Sequence, residues 1–105
     1  MPYIKQELRD KIDREINVLV AKIKEASGLD GKKMIGLLNY TIMRLLMGAL
    51  VDGKVSYEKI NRINGLMSDI QQEFYRRVAA PYEDKKIEEN GDLPSLRLFT
   101  ESLNV

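Results

Sequence analysis

Hydrophobic residues return every three or four positions through the first part of the chain. Leu8, Ile12, Ile16, Leu19, Ile23 and Ala26 share one face of a helix predicted over about 5–26, and Glu7, Lys11, Arg14, Glu15, Lys22 and Glu25 fill much of the rest. Ser27-Gly28 stops this helix, and Asp30-Gly31 supplies a turn. A second helix, over about 32–50, carries a broader apolar stripe of Met34, Leu37, Leu38, Thr41, Ile42, Leu45, Leu46 and Ala49. Met43, Met47 and Val51 widen it beyond one face, so this helix is predicted to be central or to meet a second subunit. Asp52-Gly53 breaks the chain again. Ser56 then reads as the N-cap of a third helix over about 57–80, packed through Ile60, Ile63, Met67, Ile70, Phe74 and Val78. Gly65 inside that helix predicts either a close helix crossing or a bend. Pro81 suits the first turn of a short fourth helix that ends at Asn90-Gly91. Leu93, Leu96, Leu98, Phe99 and Leu103 mark a tail that packs, forms a further short helix or stays flexible over 93–105.

The pattern predicts an all-α fold, a compact bundle of three main helices plus a short C-terminal one, in a single domain over 1–105. A chain of 105 residues with 44% hydrophobic and 31% charged residues has the balance of a folded domain. So small a domain buries a modest core, and self-association would add to it. The net charge is +1, and the 82–105 segment has six acids against three bases. No dense basic field for a phosphate backbone is present, which places nucleic acid low among the partners. Cysteine and histidine are both absent. Disulfides, thiolate nucleophiles, Cys/His zinc sites and imidazole bases are thereby excluded. Arg44 in the middle of the most apolar run favours a core helix over a membrane span, and a cytoplasmic location is expected.

Four groups of residues invite a functional reading. The stretch from Asp52 to Lys59 has the sound of a calcium loop. Setting Gly53 at the sixth position, however, puts Gly48 and Leu50 at the first and third ligand positions and Lys59 at the twelfth, so a helix-linking turn explains it better. Asp84 and Glu88 stand four apart in the acidic fourth helix, with Asp92 beyond the glycine. Such carboxylates could hold Mg²⁺ as the cofactor of a nucleotide hydrolase, whereas Lys85 and Lys86 would make them an ordinary solvated surface, the preferred reading. Glu7 with Asp10 and Asp69 with Glu73 are further acidic pairs that a bundle could bring together. Tyr75, Arg76, Arg77 and Tyr82 form the densest aromatic and basic stretch, an interaction site with donors for phosphate and rings for stacking. The plainer account pairs the two arginines with Glu83 or Asp84 across the proline joint. Asn39, Tyr40, Thr41, Asn61 and Asn64 suggest an internal polar network.

Met1-Pro-Tyr-Ile-Lys5, the 38–46 run Leu-Asn-Tyr-Thr-Ile-Met-Arg-Leu-Leu and above all the 73–92 block Glu-Phe-Tyr-Arg-Arg-Val-Ala-Ala-Pro-Tyr-Glu-Asp-Lys-Lys-Ile-Glu-Glu-Asn-Gly-Asp resemble a family of small uncharacterised proteins of bacteriophages and prokaryotes. The resemblance implies no catalytic residue, and the chain after Asp92 departs from it. A second, weaker likeness links the 88–93 run Glu-Glu-Asn-Gly-Asp-Leu to the acidic helix of all-helical nucleoside triphosphate pyrophosphatases, which implies carboxylate-held Mg²⁺. Here Asn90-Gly91 and Pro94 interrupt the helix, and the paired glutamate motif of those enzymes is missing earlier in the chain.

The resulting expectation is a small structural or protein-interaction module, self-associating as a homodimer or other homo-oligomer, with no catalytic residue and no cofactor. A Mg²⁺-dependent nucleotide pyrophosphohydrolase and a nucleic-acid-associated accessory protein stand as the alternatives.

Overall fold

The computed structural model describes residues 2–103, and every element among them is helical, as the periodicity predicts. The order is α1 (Gln6–Ser27), α2 (Gly31–Leu46) continued by a π-helical turn at Met47–Val51, α3 (Tyr57–Phe74) continued by a second π-helical turn at Tyr75–Ala79, α4 (Ala80–Asn90) and α5 (Pro94–Leu103). The chain divides into two units, Met1–Ser68 and Asp69–Val105.

In the first unit, α1 and α2 form a helical hairpin joined by three residues, short enough to require antiparallel neighbours. Each residue of the joint has a distinct task. Gly28, at φ 59°, ends α1 in the left-handed conformation and donates its N–H to the Glu25 carbonyl. Ser27 is buried; its hydroxyl donates to the Lys24 carbonyl at 2.8 Å and accepts from the Leu29 N–H at 3.3 Å. Leu29 also takes a positive φ of 68°. Asp30, expected as part of a turn, caps α2 by accepting from the N–H groups of Lys32 and Lys33.

The end of α2 differs from the prediction of one uninterrupted helix. Around Gly48 the ladder widens, and the Asp52 N–H reaches back five residues to the Met47 carbonyl at 2.9 Å. Glycine weakens regular helix by leaving the backbone free and contributing no side-chain packing, which lowers the cost of the wider turn. Asp52 and Gly53 then reverse the chain at positive φ. Ser56 caps α3 as predicted, its hydroxyl accepting from the Lys59 N–H. The close crossing or bend expected at Gly65 is absent. A Cβ there would meet nothing within 4 Å, and α3 passes through the position without interruption.

In the second unit, the helical backbone does not break before Pro81. The π turn ends with the Ala80 N–H bonded to the Tyr75 carbonyl, and Pro81 lies in the first turn of α4. A proline cannot donate its nitrogen and its ring crowds the carbonyl four residues back, so a widened turn immediately before it eases both constraints. Gly91, at φ 88°, closes α4 with its N–H on the Ile87 carbonyl at 2.8 Å. Residues 94–103 of the tail form α5, whose start is anchored by Leu96 and Arg97 N–H groups on the Leu93 carbonyl. Asn104 and Val105, within the tail expected to be flexible, lie outside the described residues.

The helix faces are apolar where predicted, yet their side chains are only partly covered. Val51 is the one buried hydrophobic residue among those described. Along α1, Leu8, Ile12 and Ile16 keep close to half of their surface, and Ile35, Ile42, Met43 and Leu45 of α2 keep half or more. Asn39, Asn61 and Asn64 are exposed, so the internal polar network does not form. Thr41 instead donates its hydroxyl to the Leu37 carbonyl of its own helix, and Tyr40 accepts from Arg44.

Candidate interaction surface

The basic and aromatic stretch singled out in the sequence lies on the π turn and the first turn of α4. Its members keep separate company. Tyr75 borders a shallow hollow of about 450 Å³ with Gln71, Gln72, Phe74 and Ala79. Tyr82 lies under the Lys86 ammonium, 5.4 Å from its ring centroid, and Lys86 also pairs with Glu89 at 3.1 Å. Arg76 does not reach forward across the proline joint to Glu83 or Asp84. Its guanidinium turns back one helical turn to Glu73, with Nε 2.9 Å from Oε1. Residues three apart are neighbours on a helix, whereas Glu83 is seven positions away with a widened turn between. Arg77 is engaged as well. The stretch thus offers two exposed tyrosine rings and arginines already held by the protein.

Asp84 and Glu88 share a face of α4, as their spacing requires. Asp92 belongs elsewhere: beyond the Gly91 cap, its carboxylate accepts the Leu93 N–H at 2.7 Å and borders a hollow of about 350 Å³ with Glu83, Lys86 and Leu96. Among the described residues, no three carboxylates are grouped to hold a metal ion. In the other acidic pairs, Asp10 accepts from Gln6, and Glu73 is committed to Arg76.

The turn that resembles a calcium loop already contains a cation. The Lys59 ammonium donates to the carbonyls of Val51 and Lys54, at 2.5 and 2.7 Å. Sequence alone marks Lys59 as wrong for a twelfth-position ligand; in the fold it ties the start of α3 to the end of the preceding helix.

A hollow of about 500 Å³ lies on α2, between Tyr40, Met43, Arg44, Met47 and the Asp52-Gly53 turn. It is broad and mostly apolar, with the Arg44 guanidinium 5.7 Å from the Tyr40 ring centroid at one side. Gly31–Val51, with a mean hydropathy of 1.6 over its most apolar window, is long and apolar enough to cross a membrane by length and composition. Sequence reasoning recognised the breadth of this apolar surface. It did not anticipate that the α1 and α2 faces would both remain half uncovered, because periodicity tells which side of a helix is apolar and is silent on what covers it.

Comparison with known proteins adds a family. The family model described as "Domain of unknown function (DUF6899)" matches residues 1–93, so α5 lies beyond the matched stretch. No curated protein and no solved structure matches the chain.

Proposed function

We propose that this chain, which belongs to the DUF6899 family and takes no activity from that membership, serves as a small helical module that self-associates and presents a surface to a protein partner. One observation carries the reading. The apolar faces that the sequence devotes to packing are half uncovered, with Val51 alone among the described hydrophobic residues fully inside. Apolar surface removed from water contributes about 25 cal/mol per Å². A domain this small depends on such burial to offset its ordering entropy. A second copy supplies the missing cover without further sequence. Exposed Tyr75 and Tyr82, each with an apolar ring and a polar tip, suit the polar rim where a different protein would dock.

Sedimentation equilibrium of the purified chain across the micromolar range tests the proposal. The expected result is a species at twice the chain mass or a higher whole multiple. A single-chain mass at every concentration would sink it.

A further inference from the structure

We infer that the α1–α2 hairpin is the self-association element, and that two copies pair hairpin to hairpin into a four-helix bundle. This inference rests on the self-associating reading above and specifies its surface.

The hairpin is built as a preorganised half of such a bundle. Its joint is held at every residue, by the buried Ser27 hydroxyl, the left-handed Gly28 and the Asp30 cap, so the two helices are set in place before any partner arrives. Within the hairpin, Leu19 of α1 lines a shallow hollow with Tyr40, Thr41, Arg44 and Leu45 of α2, which marks the seam where the helices meet and puts Arg44 on one flank of it. Next to that seam each helix keeps an uncharged apolar line: Leu8, Ile12 and Ile16 on α1, and Ile35, Leu38 and Ile42 on α2. Their exposures run from 38% to 61%, so the hairpin covers about half of each side chain and leaves the other half in water. The α2 positions follow alternating steps of three and four, the spacing that interlocks helices in a bundle.

Area and chemistry both favour a second copy as the occupant. α1 has 22 residues and α2 has 16, and two helices about 10 Å wide over their shared length present roughly 500 Å². Two such faces enclose roughly 1,000 Å², the lower bound for a specific interface, before flanking side chains are counted. Two uncharged apolar lines side by side match a partner that carries the same two lines, and an identical hairpin related by a two-fold axis provides them. A bilayer is the competing occupant for Gly31–Val51. It would surround α2 on all sides, Arg44 included, at about 2.5–3.5 kcal/mol for the arginine alone, and would bring the charged face of α1 with it.

The test compares Ile42→Asp with Ile70→Asp, both in the full chain. Each replaces a comparably exposed isoleucine, one on the hairpin and one on α3. Sedimentation velocity is expected to show wild type and Ile70→Asp as dimers, and Ile42→Asp with its dissociation constant raised at least about 100-fold. Ile42→Ala, which retains high helix propensity, guards against simple misfolding. Its dissociation constant is expected to rise about tenfold or more, with helical circular dichroism unchanged at high concentration. A dimer that survives both position-42 variants overturns the hairpin interface and leaves self-association standing. A monomeric wild type removes both, and partition of wild type into neutral phosphatidylcholine vesicles assigns the α2 face to lipid instead.

Discussion

Lys59 illustrates how one side chain can take over a loop's chemistry. The chain reversal after α2 leaves the carbonyls of Val51 and Lys54 without the next turn of helix to bond, the usual condition of a helix end. Its ammonium donates to both. It thereby ties the end of one helix to the first turn of the next and places a positive charge at the negative helix terminus. Val51, the one buried hydrophobic residue among those described, is one of the two residues so held. Replacing Lys59 with methionine keeps the aliphatic stem and removes both hydrogen bonds. Bonds to a charged group contribute about 1.5–3 kcal/mol each when well sheltered, and the partial exposure here argues for a total near the lower figure, about 1.5 kcal/mol. Urea denaturation should show that loss as a lower midpoint with an unchanged slope. An unaltered midpoint would mean that water serves these carbonyls equally well.

At the scale of elements, Gly65 presents a contrast between composition and surroundings. A glycine in mid-helix costs about 1 kcal/mol relative to alanine, and this one has open space where a Cβ would stand. Gly65→Ala is therefore expected to raise stability by about 1 kcal/mol, measured by the same denaturation. A destabilised or dissociated variant would reveal that a helix of another copy crosses α3 closely at that point. Helix boundaries were largely legible in the sequence because capping is local chemistry: Gly28, Ser56 and the Asn90-Gly91 stop act where the residue pattern puts them. The two π-helical turns were not legible. Five residues bonded five apart leave no periodic trace, and Pro81 signals a break where the backbone instead widens and continues. The candidate site was legible only as a list of residue types. Spacing placed Asp84 with Glu88 correctly, but it could not show Asp92 accepting the Leu93 N–H beyond the glycine, or Arg76 choosing Glu73 behind it over the acids ahead.

For the molecule as a whole, the half-covered faces make stability and assembly one question. If two chains fold into a shared core, the equilibrium between assembled and unfolded chains carries the square of the unfolded concentration, and each tenfold rise in protein stabilises the folded dimer by about 1.4 kcal/mol. Unfolding entropy of about 2.1 cal/mol/K per residue, summed over two chains of this length, turns that into a rise in melting temperature of about 3 °C per tenfold. Thermal unfolding followed by circular dichroism at three concentrations, each tenfold above the last, should therefore show a steady climb in the midpoint. The same series on Ile42→Asp should lie flat and lower, since a chain that cannot pair gains nothing from its neighbours. A wild-type midpoint that ignores concentration would mean that the apolar lines of α1 and α2 find their cover within one chain. The half-exposed isoleucines would then belong to a self-sufficient monomer, and a docking surface would have to be sought elsewhere, beginning with Tyr75 and Tyr82.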